Sequence, residues 1–242
     1  MEVIPVWDRS EFISALNDAI EITPRSTAVI TIDCHRGHLD PDIATMPVAP
    51  EHARTVVANV AQLLSLARAT GMPVIHVILQ NRLLPDGIVE PMHNPFWKAV
   101  EEANQRLTPT RHSTISGHNL VGSRQTELMP ELGPEPGDLM ITNKRRLSVF
   151  AGTDLEITLR QLKIDTVILA GINTNTCVLC AAFESLNLDL RTIVLKDGVH
   201  SMHGDDLHLF GLQIIARCLG WVLTLDELRA KVDVRTPTLT PQ

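Results

Sequence analysis

Three residues of chemically useful type each follow a short apolar run. Asp33 follows Ala28-Val29-Ile30-Thr31-Ile32, and Lys144 follows Asp138-Leu139-Met140-Ile141-Thr142. Cys177 comes behind Thr166-Val167-Ile168-Leu169-Ala170 and the segment Gly171-Ile172-Asn173-Thr174-Asn175-Thr176. Together they supply a base, a cation and a thiol. A thiol of ordinary pKa, about 8.5, is only about 3% thiolate at pH 7. A nearby ammonium and a helix N-terminus both favour the thiolate, and a hundredfold gain corresponds to about 2.7 kcal/mol. Asp33 can accept the thiol proton and pass it to a leaving amine. Backbone N–H groups in the turn before Cys177 can receive the oxyanion of a tetrahedral intermediate.

The elements that must carry these residues alternate. Further strands are predicted over Pro73–Leu79, Arg191–Leu195 and Trp221–Leu223. Helical spacing of apolar residues runs from Glu51 to Thr70, with Gly71 as a stop. Helices are also expected over Glu11–Ile20, Asp154–Leu162 (Thr153 as N-cap), Thr176–Leu186 and Asp205–Cys218. Strands that are apolar throughout and alternate with helices imply a parallel sheet covered on both faces. The expected fold class is therefore α/β, a three-layer Rossmann-like sandwich of about six mostly parallel strands. Ligands of such sheets bind at the carboxyl ends of the strands, where all three residues would converge. The stretch from Gln80 to Pro136 has many prolines and little periodicity, and reads as a long loop serving as lid or interface. Residues 1–26 read as an extension with a short helix, 27–230 as the domain and 231–242 as a tail.

Composition narrows the classes. The chain has 242 residues, 44% of them hydrophobic, and a net charge of -7. That balance offers no basic footprint for nucleic acid or for an anionic membrane. No apolar stretch approaches the roughly 18 residues of a membrane span, and the N-terminus carries no signal-like run. Four cysteines in a chain of this length do not form a disulfide framework, so a reducing, cytoplasmic setting is expected. Tyrosine is absent, which removes every tyrosine acid or base. Taken singly, an aspartate after a strand is commonly a turn residue, a lysine in a basic trio is commonly solvated, and a helical cysteine commonly packs. Their shared position at three strand ends is what favours a site.

Longer motifs agree. Gly152-Thr153-Asp154-Leu155 and Gly171 to Val178 (GINTNTCV) follow the Asp33 strand and the Lys144 segment in order, with Arg146, Ser148 and Phe150 at alternate positions behind the lysine. Asp197 and His208 lie downstream. Over roughly Thr27 to Leu228 the chain resembles the isochorismatase-like cysteine hydrolases, a family that includes N-carbamoylsarcosine amidase, nicotinamidase, biuret hydrolase and ureidoacrylate amidohydrolase. The resemblance implies that Cys177 attacks a carbonyl, that Asp33 is the acid and base, and that Lys144 is their electrostatic partner. It also implies a cis peptide between Ile172 and Asn173, with the N–H groups of Asn173 and Cys177 as oxyanion hole. The implied substrate is a small amide, carbamoyl or ureido compound, cleaved without an organic cofactor. The implied assembly is a homodimer or homotetramer. Isochorismatases proper lack the cysteine, so vinyl-ether hydrolysis is disfavoured. This chain has His35 where many relatives have Gln, and Cys180 to Ser185 where they carry T-A-R-D-A. His35, Trp97 and Arg146 are candidate substrate contacts, and Arg36, Arg82 and Arg111 further candidates for a substrate carboxylate.

Two other signals compete. Cys177-Val178-Leu179-Cys180 spells C-x-x-C, and a redox-sensing or binding protein using that thiol pair is the alternative reading. Nicotinamidases use an aspartate and two histidines as metal ligands. His35, His38, Asp40 and His52 do not reproduce that spacing, no zinc motif is present, and no metal is expected. His93, His112 and His118, with Trp97, read as surface or oligomer contacts, with a pocket wall as the alternative.

Overall fold

The structure, a computed structural model, describes residues 5–107 and 114–233. Six strands form one parallel sheet: β1 (Thr27–Ile32), β2 (Val74–Leu79), β3 (Leu139–Lys144), β4 (Thr166–Ile172), β5 (Arg191–His200) and β6 (Trp221–Leu223). Their order is β3-β2-β1-β4-β5-β6, every pair parallel. The chain runs outward from β1 to one edge, returns to β4 and runs to the other edge. The direction reverses between β1 and β4, and a crevice opens at their carboxyl ends. The helices are α1 (Ser10–Ala19), α2 (Arg36–Leu39), α3 (Pro50–Thr70), α4 (Pro95–Leu107), α5 (Leu155–Gln161), α6 (Leu179–Asn187), α7 (Asp205–Ile214) and α8 (Leu225–Asp233).

Both faces of the sheet are buried because successive residues of a strand point to opposite layers. Val29, Ile168, Ala170, Ile193 and Leu195 pack in one cluster with α3 and Leu228 of α8. Their neighbours Ala28, Ile30, Val167, Leu169 and Val194 pack in the other, with Leu155 of α5 and Ala181 of α6. Helix α3 buries Ala53, Val56, Val57, Val60, Leu63, Leu64 and Ala67, one stripe at helical spacing. It opens on Pro50 and closes at Gly71, whose left-handed φ of 74° lets its N–H reach the Ala67 and Arg68 carbonyls. Helix α1 docks on edge strand β6, where Asn17 Nδ2 donates to the Val222 carbonyl and Trp221 Nε1 to that of Leu16, both at 2.9 Å. No described helix is long and apolar enough to cross a membrane.

Several elements differ from expectation. β3 extends to Lys144, which is therefore the last strand residue. β5 continues past Leu195 to His200, because the ladder resumes at Gly171–Val199 and Ile172–His200 after a register shift. The predicted helix at Thr176 is preceded by a π turn, Thr174–Val178, and α7 ends in another, Ile215–Leu219. The proline-rich stretch holds α4 and three 3₁₀ turns. Its periodicity was weak because α4 has no apolar core face: its one buried residue is Glu101. That carboxylate accepts from the Ile115 N–H at 2.7 Å and Thr114 Oγ1 at 2.8 Å. Helices α2 and α8 were also unanticipated. The N-cap of α5 is Asp154 and not Thr153, although the Thr153 hydroxyl accepts from the Leu155 N–H at 3.2 Å. Arg111, His112 and residues 234–242 of the expected tail lie outside the described residues, while residues 231–233 belong to α8.

One glycine is required by the crossing of β4 over the end of β1. Gly171 has φ 121°, and a Cβ there would lie 2.0 Å from the Ile32 carbonyl oxygen and 2.9 Å from Cys34 Sγ. Both atoms belong to rigid, buried parts of the fold. Gly171→Ala is expected to destabilise the protein by about 4 kcal/mol or more, read as a lowered urea midpoint. A midpoint unchanged from that of the parent protein would refute the close approach.

Candidate active site

Asp33 leaves β1 in the left-handed region, φ 54°, so its carboxylate turns back over the sheet edge. Its N–H bonds the Val77 carbonyl at 2.9 Å, and its Oδ1 accepts from the Leu79 N–H at 2.8 Å. Lys144, closing β3, pairs with Leu79 across a register shift. Its side chain is fully buried and reaches the crevice. There Nζ donates to Asp33 Oδ2 at 2.6 Å and to Cys177 Sγ at 3.3 Å. Cys177 sits in the π turn after β4 and is 4% exposed. The structure thus brings together the three strand-end residues.

Taking two ions out of water is costly, and such a pair persists only when further hydrogen bonds satisfy both. Here the carboxylate accepts two bonds and the ammonium has two acceptors. Burial pulls Lys144 down, but Asp33 and Cys177 outweigh it and hold the ammonium above its ordinary pKa. The expectation of a standing thiolate is corrected. Burial, with the Asp33 charge adding to it and Lys144 opposing, pushes the Cys177 thiol up to about 12. The physical reason is burial: a thiolate there loses its hydration, which outweighs the attraction of Lys144, and the Asp33 charge adds to the cost. Lys144 Nζ, 2.6 Å from Asp33 Oδ2 and 3.3 Å from Cys177 Sγ, keeps that carboxylate beside the thiol. With the thiol pushed up, its proton must pass to a base as sulfur attacks, and Asp33 is the carboxylate this cluster supplies.

The turn ahead of the thiol is tightly held. The Ile172–Asn173 peptide is cis. The Asn173 carbonyl accepts from the N–H groups of Thr176 and Val178, both at 3.1 Å. Its side-chain Oδ1 accepts from the Met202 N–H at 2.8 Å. Thr174 Oγ1 pairs with His208 Nδ1 at 2.8 Å, and Ser201 Oγ donates to Asn175 Oδ1 at 2.7 Å.

A wall of imidazoles adjoins the trio. His35 stacks on His38 (ring centroids 5.0 Å apart), and His38 meets His118 at 4.8 Å. Asn119 Nδ2 faces His118 Nε2 at 2.8 Å and His35 Nε2 at 3.2 Å. His38 Nδ1 meets the Met46 carbonyl at 3.0 Å. His35 Nδ1 is buried without a partner among the described residues, an open donor or acceptor beside the crevice. His118 is buried, so its surface reading is corrected. His35 and His38 were visible as a spacing of three on one turn after Asp33. Asn119 was missed and His118 misread, because only tertiary packing brings their segment over β1 and β2, where Asn81 Nδ2 grips the His118 carbonyl at 2.9 Å.

Burial, then neighbouring positive or titrating groups including Lys144, pushes His35 and His118 well below the ordinary histidine range, and burial pushes His38 down too. Their folded pKa values lie below the unfolded one, so the stability tied to keeping them neutral is present above about pH 6.5 and is lost as pH falls. Each contributes a slope of up to about 1.4 kcal/mol per pH unit below that point. Urea midpoints are expected to fall steeply between pH 7 and pH 5. A flat profile over that window would show the three rings to be hydrated.

The other candidates are separate. Trp97 is half-buried on α4, edge-on to Phe96. Arg146 is exposed and donates to the Arg145 carbonyl at 2.6 Å. Arg36 is paired with Asp40 at 2.7 Å and with Glu127 at 3.2 Å, and Arg82 with Glu90. With Asp40 so engaged, His35, His38 and Asp40 form no metal-sized group, and His52 lies instead beside His200 and Asp205. His93 is exposed and pairs with Asp86 at 3.1 Å. The Cys180 thiol is pushed up to about 11 by burial and by Glu184.

A buried acid–cation pair touching a thiol is an arrangement suited to acyl transfer. Comparison with known proteins points the same way: the isochorismatase domain model matches residues 27–227. The chain belongs to the isochorismatase family. It is 27% identical over 238 residues to the ureidoacrylate amidohydrolase RutB of Rhizobium rhizogenes, covering 96% of this chain and 94% of that one. It is 31% identical over 224 residues to the RutB of Methylobacterium radiotolerans, covering 90% and 83%. A cysteine hydrolase from Pseudomonas syringae pv. phaseolicola shares the fold, with a TM-score of 0.72, 22% identity and coverage of 89% and 96%. In this family member the trio occupies the crevice between β1 and β4. A second cleft, lined by Leu16, Arg191, Cys218 and Trp221, lies at the amino ends of β5 and β6 and meets none of the three.

Proposed function

We propose that the protein is a cysteine hydrolase that cleaves the C–N bond of a small amide, carbamoyl or ureido compound through a thioester on Cys177. The observation that carries this reading is Lys144 Nζ bridging Asp33 and Cys177 in one buried cluster. The names of the relatives support the substrate class. In the proposed reaction the Cys177 proton passes to Asp33 as Sγ bonds the substrate carbonyl carbon. The N–H groups of Asn173 and Cys177 receive the oxyanion. Lys144 offsets the charge that moves between carboxylate and sulfur. Collapse breaks the C–N bond, and Asp33 returns its proton to the departing nitrogen, releasing ammonia or an amine. Asp33, again a carboxylate, then takes a proton from water. The water oxygen attacks the thioester, and the thiol leaves with that proton. No organic cofactor is needed.

The neutral imidazole wall suits a small polar substrate that accepts and donates hydrogen bonds. Assembly as a homodimer or homotetramer is supported by exposed Phe183 and Leu186 on α6 and Leu207, Phe210 and Ile214 on α7, and light scattering tests it. The function is tested by ammonia release over ureido acids, biuret, carbamoyl amino acids and aromatic amides, with Cys177→Ser as control. Turnover of one class that disappears in the variant supports the reading. Silence across the panel, with a Cys177–Cys180 disulfide forming under peroxide, would favour the redox alternative.

A further inference from the structure

Beside the catalytic trio, three imidazoles and a carboxylate gather from separate parts of the chain. His52 lies in the first turn of α3, His200 closes β5, and Asp205 and His208 open α7. The His52 and His200 rings stack 3.6 Å apart, and those of His200 and His208 4.3 Å apart. Asp205 Oδ1 is 3.4 Å from His52 Nε2 and 3.8 Å from His200 Nε2. The ligand atoms of these three residues all fall within 4.8 Å of one another. Two ligand atoms on tetrahedral zinc, each at about 2.0 Å, stand about 3.3 Å apart. The two nitrogen–oxygen separations are near such an edge, and the group, whose ligand atoms lie within 4.8 Å of one another, would close further on loading.

A second observation concerns which nitrogen is free. His200 Nδ1 faces the Ser201 carbonyl at 3.3 Å. A proton on Nδ1 donates there and leaves the Nε2 lone pair toward Asp205. That is the tautomer and outer contact that metal-bound histidines use. A solvated ion pair is the plainer account of Asp205, and with the Ser201 contact it requires His200 to carry a proton on both ring nitrogens.

We propose that His52 Nε2, His200 Nε2 and the Asp205 carboxylate form a site for a divalent transition metal of the zinc and cobalt class, with water completing the coordination. Imidazole donors disfavour magnesium and calcium, which take oxygen ligands. His52 and His200 are stacked within 12° of parallel, and parallel rings cannot both aim an in-plane lone pair at one ion. Loading therefore turns one ring. His52, a third exposed at its side chain, is free to do so.

The consequence follows from the loop between the ligands. Between His200 and Asp205 the chain passes through Ser201 and Met202, which hold Asn175 and Asn173, and His208 holds Thr174. A bound ion would fasten this loop to α3 and stiffen the turn that carries Cys177. The metal touches no reacting atom, and its role is positional.

The test uses the full chain, stripped with chelator and titrated with Co²⁺ and Zn²⁺. One equivalent is expected, with visible cobalt absorption and a rise in Tm of about 5 °C or more at a hundredfold excess over Kd. Mg²⁺ is expected to have no effect. His52→Gln and Asp205→Asn should each weaken binding at least a hundredfold, while their metal-free Tm stays within a few degrees of the parent's, because both residues are solvent-accessible. Absence of saturable Co²⁺ or Zn²⁺ binding would overturn the site. So would one-equivalent binding that survives both substitutions unchanged. Binding is read without substrate, so the outcome is independent of the hydrolase reading.

Discussion

Cys177→Ala is expected to lower kcat by about 10⁴-fold or more while leaving the protein folded. Residues that act as a unit lose nearly all rate enhancement when the nucleophile goes. The alanine removes only the sulfur, and the Asp33–Lys144 ion pair at 2.6 Å keeps its own hydrogen bonds, so Tm should shift by only a few degrees. Steady-state ammonia release against the best substrate of the panel measures the loss. Acid-quenched intact-mass spectra of the parent protein should show an acyl adduct that the variant lacks. Turnover within tenfold of the parent's would remove Cys177 from the reaction.

The second large effect is on stability. Lys144→Met leaves the Asp33 carboxylate buried with no cation, and breaking a buried pair from one side costs about 3–5 kcal/mol. The double variant Asp33→Asn with Lys144→Met removes the stranded charge and should recover most of that loss, although both proteins remain inactive. The pH dependence has a defined sign. Lys144 is held above its ordinary pKa in the folded state. Its stabilisation is therefore complete below the unfolded ammonium value of about 10.4 and is lost as pH rises through the folded value. Alkaline urea melts should show that loss in the parent and not in the double variant. Equal stability of Lys144→Met and the parent at pH 7 would mean that the pair is hydrated.

Much of this architecture was legible along the chain. The apolar runs of β1, β2 and β4 are buried on both faces, so their composition alone distinguishes them from one-sided strands. The stripe from Ala53 to Ala67 announces α3 because it is a core helix. Helix α4 gave no such signal because what it buries is a carboxylate, bonded to a segment that comes later in the chain. The end of β5 was hidden for a related reason: Lys196, Asp197 and Gly198 break the apolar pattern, and the ladder to β4 resumes only at Val199 after a register shift.

For the site, the grouping of Asp33, Lys144 and Cys177 was legible in the sequence, since each follows a short apolar run that reads as a strand alternating with helices. The strand ends specify a shared edge, whereas the close approach that requires glycine at position 171 emerged only from the structure. Three further matters were decided only by tertiary structure. The protonation of Cys177 depends first on its burial and then on its distances to Lys144 and Asp33, none of which the chain order carries. The wall of His35, His38, His118 and Asn119 depends on where a proline-rich segment folds back. The meeting of His52, His200 and Asp205 joins the start of one helix to a strand end and to the start of another helix. In each case the physical reason is that charge and coordination depend on separations through space, and residue spacing along a chain carries those only within one element.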